Sequence, residues 1–147
     1  MVPNLALMAV MKEKGWTVTY LGAGEPEATL VSAEGIEFRR LPAGKLRRYF
    51  SVENLLDVFR TLGGIGKAFF LLRKLKPSVV FSKGGYVGFP VVVGAWLNRI
   101  AVVTHESDLT PGLANRLSLP FAAAVCVNFA DTRFGSLECL QAGIDIF

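Results

Sequence analysis

Apolar positions change period repeatedly along this chain, and the changes divide it into elements. Leu5, Met8, Ala9 and Lys12 recur three to four apart and Gly15 follows as a stop, which predicts a helix; the β-branched and aromatic run Trp16–Leu21 predicts a strand after it. The pattern then repeats. Ile36–Leu41 is a short strand candidate, and Asn54–Lys76 is a helical region with a break expected near Gly63-Gly64. Ser78–Ser82 (SVVFS) is a buried strand, Pro90 opens a helix, and Ala101–Thr104 (AVVT) is a strand. Pro111 opens a further helix and Ala124–Asn128 is a last strand. Short Val-rich runs alternating with helices predict a parallel sheet with crossover helices, a Rossmann-like α/β domain of the doubly wound kind. Such a domain normally opens on a strand whose loop feeds the first helix. This sequence starts directly in that helix, at Val2-Pro3, so the first strand and its loop are expected to be missing.

Composition narrows the possibilities. The chain has 147 residues, 52% of them hydrophobic and 19% charged, enough for the buried core of a single domain. Its longest apolar stretches, such as Val91–Leu97, fall short of the roughly 20 residues that span a bilayer. The N-terminus has no basic region ahead of its apolar positions, so a cytoplasmic chain without a secretory signal is expected. Cys126 and Cys139 make neither a metal spacing nor a disulfide framework and read as structural. The net charge of +4 favours an anionic partner: phosphate, an acidic lipid surface or nucleic acid. Nucleic acid is disfavoured, because the cluster Arg39, Arg40, Lys45, Arg47 and Arg48 has only Tyr49 and Phe50 nearby to stack on bases; it reads as a solvated loop or as an electrostatic aid to a lipid surface. No GxGxxG follows a strand, which disfavours a dinucleotide oxidoreductase.

Ligands of open parallel sheets bind beyond the carboxyl ends of the strands, and two strand-to-helix loops there carry chemistry. In Ser82–Pro90, Gly84 and Gly85 allow close backbone approach, and free amides at the helix start suit phosphate or diphosphate. A purely structural glycine turn fits the same pattern, and Tyr86 is either a ligand contact or a packing residue. In Thr104–Asn115 the only histidine of the chain, His105, stands beside Glu106 with Asp108 close by. At this edge it is either a structural histidine or a site residue. Asp108 or Thr110 is expected as the helix cap, and Asn115 points back to the crevice or into solvent.

Taken together, GGY at Gly84–Tyr86, HES-D at His105–Asp108 and GLAN at Gly112–Asn115 closely resemble the MurG family, the UDP-N-acetylglucosamine:N-acetylmuramyl-(pentapeptide) pyrophosphoryl-undecaprenol N-acetylglucosamine transferases. The resemblance is tightest over Val79–Ala122, extends loosely to the start, and fades after Asn128. It implies the N-terminal, acceptor-binding domain of a two-domain GT-B enzyme that moves N-acetylglucosamine from UDP-GlcNAc to lipid I, making lipid II. It also implies that residues 1–147 are one such domain, incomplete at both ends and without the donor domain, through which UDP-GlcNAc would bind. Gly84, Gly85 and Tyr86 match a loop thought to hold the acceptor diphosphate; His105, Glu106 and Asp108 would line the cleft, supported by Asn115. The family's proposed general base, a histidine in an earlier glycine loop, would fall just before this sequence begins, and His105 does not match it. The isolated chain is therefore expected to be inactive.

The resemblance further implies a peripheral protein of the cytoplasmic face of the inner membrane, docked through an apolar patch with a basic rim. Trp96, Phe69 and Phe70 are the candidates for that patch, within an amphipathic stretch containing Leu55, Leu56, Phe59, Leu62, Leu72, Arg60, Lys67, Arg73 and Lys74. Alternatively these apolar residues simply pack a helix on the sheet. No tight metal or other cofactor is implied. A rival reading is a non-catalytic lipid-diphosphate binding half of a split glycosyltransferase. Residues 129–147 are expected to lack the strand that would lead towards a second domain.

Overall fold

A computed structural model describes residues 2–41, 52–110, 112–128 and 139–141, with side chains at 4–41, 59–110 and 112–128. It divides into two compact units, Met1–Pro42 and Ala43–Phe147.

In the first unit, α1 (Val2–Glu13), β1 (Thr19–Gly22), α2 (Glu27–Ala33) and β2 (Glu37–Arg40) form a βαβ unit with a leading helix. Gly15 ends α1 as expected. It sits at φ +81°, its amide donates to the Lys12 carbonyl (2.9 Å), and the Trp16 amide donates to the Met11 carbonyl (3.0 Å). This cap consumes the Trp16 amide, so β1 starts at Thr19 rather than at Trp16 as the β-branched run suggested. The two strands pair in parallel, Thr19 opposite Glu37 through Gly22 opposite Arg40. Met8, Val31 and Ile36 are the core, flanked by Leu5, Val18, Tyr20 and Phe38.

The second unit holds α3 (Val52–Leu75), β3 (Val79–Ser82), α4 (Gly85–Leu97), β4 (Ala101–Glu106), α5 (Leu113–Ser118), a single 3₁₀ turn (Leu119–Phe121), β5 (Ala124–Val127) and β6 (Cys139–Gln141). The strands form one parallel sheet in the order β3-β4-β5-β6. Burial alternates along β4: Val102, Thr104 and Glu106 turn to the buried face, while Val103 and His105 turn to the other.

Several expectations need correction. No break occurs at Gly63-Gly64; α3 runs unbroken for 24 residues. Its glycines cost helix propensity, but α3 packs so closely on α4 that a Cβ on Gly94 would lie 2.9 Å from the Ala68 Cβ, and this contact outweighs local preference. Pro90 does not open α4. The helix begins five residues earlier at Gly85, and Pro90 is buried inside it, leaving the Tyr86 carbonyl without its usual i+4 amide. The strand after Ala101 runs on to Glu106, so His105 and Glu106 are its last residues rather than loop residues. Neither Asp108 nor Thr110 caps α5: its N-cap is Gly112, whose amide is taken by Glu106. Residues 129–147 are not without a strand, since Cys139–Gln141 pairs in parallel with Val125–Val127. Three residues are too few for a period-two pattern, so only backbone pairing reveals them. Lys45, Arg47, Arg48, Tyr49, Phe50 and Pro111 lie outside the described residues, as do the side chains of Leu55, Leu56 and Cys139.

Candidate functional site

The second unit brings its site residues to the carboxyl ends of β3, β4 and β5, the edge where parallel sheets bind ligands. After β3 the chain turns through Gly84 (φ +81°, ψ −150°) and Gly85 (φ +79°), conformations that side chains resist. Gly84 is also hemmed in: a Cβ there would stand 2.5 Å from Asn115 Oδ1. Its amide donates to Ser82 Oγ at 3.2 Å, fixing the turn to the strand that precedes it. The first amides of α4 have no intrahelical acceptor and concentrate positive potential at this turn. Half-buried Tyr86 is the second residue of that helix, and half-buried Lys83 adds a cation beside the turn.

Glu106 organises the neighbouring loop. Its buried carboxylate accepts the Asp108 amide through Oε1 (3.1 Å), and through Oε2 it accepts the Gly112 amide (2.9 Å) and Asn115 Nδ2 (2.9 Å). Burial pushes its pKa up. The hydrogen bonds from Asn115 and from the Gly112, Asp108 and Ser107 amides outweigh that and hold the carboxyl below its ordinary value, so Glu106 is an ionised acceptor with its oxygens occupied. Such a group orders a loop rather than removing protons. Asn115, buried, also donates to the His105 carbonyl at 3.3 Å, while its own Oδ1 has no partner among the described residues. The amide of Asn115 thus ties Glu106 and the His105 backbone together directly against Gly84.

His105 lies on the opposite face of β4 from Glu106. Its Nε2 is 2.9 Å from Asn128 Oδ1, and its ring lies 6.1 Å from that of Phe81 on β3. Burial lowers its pKa first and the Lys83 charge second; the Asn128 hydrogen bond and Glu106 oppose them, and the net shift is downward. At neutral pH the imidazole is uncharged. Asp108 is exposed and serves Glu106 through its backbone. Gly84, Gly85, Tyr86, His105, Glu106, Asp108 and Asn115 therefore all fall on the same edge of the sheet.

Four residues of this edge were given no individual role by the sequence reading: Ser82, Lys83 and Gly112, which lie inside the two loops it singled out, and Asn128. For Asn128 a signal existed, a lone amide at the carboxyl end of a Val-rich strand.

The membrane candidates lie on α3 and α4. Phe70 is 71% exposed and Trp96 51% exposed, while Phe69 is half-buried with its ring edge-on to Phe70 at 5.3 Å. Phe59, Leu62 and Leu97 are exposed as well, and Arg60, Lys67, Arg73 and Lys74 are exposed along α3. Leu72, by contrast, is buried. Among the described residues, no helix is long and apolar enough to cross a membrane.

Residues 1–127 match the glycosyltransferase family 28 N-terminal domain. The chain is 54% identical over 128 residues to the UDP-N-acetylglucosamine–N-acetylmuramyl-(pentapeptide) pyrophosphoryl-undecaprenol N-acetylglucosamine transferase of Legionella pneumophila, a match covering 86% of this chain and 35% of that protein. To the protein of the same name from Clostridium tetani it is 49% identical over 131 residues, covering 88% of this chain and 37% of that one. The crystal structure of Acinetobacter baumannii MurG superimposes with a TM-score of 0.80 at 26% identity, over 93% of this chain and 40% of that one. The chain thus spans little more than a third of the length of these curated relatives. Fold, motif spacing and sequence identity agree: this chain belongs to glycosyltransferase family 28, to whose N-terminal domain it corresponds.

Proposed function

We propose that these 147 residues are the acceptor-binding domain of a GT-B transferase that moves N-acetylglucosamine from UDP-GlcNAc to the muramyl 4-hydroxyl of lipid I, with inversion at the anomeric carbon, giving lipid II and UDP. The observation that carries this reading is the junction of the Gly84-Gly85 turn, the amino end of α4 and the Glu106–Asn115 network at one edge of the sheet. Oriented amides and Lys83 suit the diphosphate of a lipid-linked acceptor, and Asn115, its amide hydrogens taken by Glu106 and the His105 carbonyl, packs against the turn that presents them. Glu106 acts by holding the loop. None of these groups is placed to be the base that deprotonates the attacking hydroxyl; that role, worth of order 10²–10⁴ in rate, falls to a residue outside them. UDP-GlcNAc would be held by a donor domain beyond residues 1–147. The names of the Legionella and Clostridium relatives, which give UDP-N-acetylglucosamine and N-acetylmuramyl-(pentapeptide) pyrophosphoryl-undecaprenol as the reacting pair, support the substrate assignment. The exposed Phe70 and Trp96, with the basic residues of α3, suit docking on the cytoplasmic face of an anionic membrane.

The test is binding of a short-chain lipid I analogue to the 147-residue chain, followed by intrinsic fluorescence. Binding without turnover is expected. Gly84→Ala should weaken it by about tenfold or more, because the added methyl must displace Asn115 and occupy the space the ligand's phosphates approach. Equal affinity in a Gly84→Ala variant that remains folded, judged by circular dichroism, would remove the diphosphate site from this turn.

A further inference from the structure

We infer that Asn128 is a positioning residue: it holds His105 as the Nε2–H tautomer and so makes Nδ1 the ring's only acceptor. The geometry follows from the pairing of β4 with β5. His105 is registered opposite Cys126, and Asn128 lies two residues further along, on the same face as Cys126. The Asn128 amide donates to the Glu106 carbonyl at 3.3 Å, which keeps the end of β5 alongside β4. Asn128 Oδ1 then stands 2.9 Å from His105 Nε2, and an oxygen at that distance demands that Nε2 carry the proton.

The alternative tautomer is poorer on both nitrogens. His105 Nδ1 is buried and has no hydrogen-bond partner among the described residues, so a proton there would be a buried donor with nothing to accept it. Protonating the ring meets the same obstacle, reinforced by Lys83 after β3; Glu106, the next residue along β4, only partly offsets it. Neutral His105 therefore donates to Asn128 and keeps one lone pair, on Nδ1. That lone pair is buried, so the hydrogen bond to Asn128 fixes the ring within the sheet edge rather than presenting Nδ1 to a ligand.

The chain contains one histidine, so its ring nitrogens can be read without assignment ambiguity in long-range ¹H–¹⁵N spectra of the ¹⁵N-labelled protein. The wild type should show a protonated Nε2 and a bare Nδ1 at pH 7.5. Asn128→Ala should give a mixture of tautomers. Asn128→Asp, which keeps the acceptor and adds charge, should restore the Nε2–H form and raise the His105 titration midpoint by about one unit or more. A wild type with its proton on Nδ1 would overturn the inference without any variant, as would an Asn128→Ala protein whose tautomer ratio and titration match the wild type. Neither result depends on a ligand, so failure here is distinguishable from failure of the transferase reading.

Discussion

Glu106 shows how a residue's neighbours decide its chemistry. A carboxylate beside the only histidine of a chain invites an acid–base assignment, yet its oxygens receive backbone amides of the following loop and the Asn115 side chain, and its pKa is held down. Glu106→Gln keeps the shape but turns an NH2 towards donors, leaving at least one buried donor unsatisfied. A loss of about 1–3 kcal/mol is expected in urea unfolding, and an unchanged midpoint would refute the loop-ordering role. The pH dependence follows with the same sign from both groups. Folded His105 resists a proton that the unfolded chain accepts near pH 6.5, so stability is full above that value and falls as pH drops towards the folded pKa. Glu106 adds a second loss at lower pH, as acid protonates a carboxylate the fold holds ionised. Urea midpoints measured from pH 8 to pH 5 should decline in the wild type and stay flatter in His105→Gln. At this scale the sequence shows which residues converge, because strand ends and polar loops are visible in it. It does not show what each oxygen bonds, because Asp108, Gly112 and Asn115 reach Glu106 only after the loop has closed.

Among the elements, legibility tracked length and local signal. The α1 stop at Gly15 and the Val-rich strands could be read directly, since left-handed caps and buried parallel strands leave compositional marks. The seven-residue α2 escaped, although parallel pairing of β1 with β2 requires some crossover between them. Gly63-Gly64 and Pro90 misled for one reason: their local preferences are worth about 1–3 kcal/mol and the α3–α4 contact exceeds them. That account makes opposed predictions for chemically identical substitutions. A Cβ at Gly63 or Gly66 meets nothing within 4 Å, so Gly63→Ala and Gly66→Ala should each stabilise by about 0.5–1 kcal/mol. At Gly94 the same methyl would lie 2.9 Å from the Ala68 Cβ and 3.0 Å from the Phe69 backbone nitrogen, and Gly94→Ala should cost about 1–3 kcal/mol. Thermal unfolding of the three variants decides the matter; stabilisation by Gly94→Ala would mean that α3 and α4 do not approach so closely.

At the scale of the whole molecule, the excess of Lys and Arg and the exposed aromatic residues of α3 and α4 make one joint prediction. Attraction to anionic lipid contributes about 1 kcal/mol for each basic residue near the surface and is screened within a Debye length, whereas insertion of Phe70 or Trp96 depends on apolar area and is insensitive to salt. The two contributions can therefore be separated. Sedimentation with phosphatidylglycerol vesicles should show binding that weakens as salt rises from 50 to 300 mM (about a twofold fall in Debye length), and neutral phosphatidylcholine vesicles should bind little. Phe70→Asp should lower affinity at every salt concentration with the slope nearly kept, because an exposed ring is lost while the basic residues of α3 remain. Lys67→Gln with Arg73→Gln should do the reverse, flattening the salt dependence. If Phe70→Asp and Trp96→Asp leave vesicle binding untouched while both proteins stay folded, these rings are not the insertion points, and the exposed apolar face of α3 and α4 is not the lipid-binding surface.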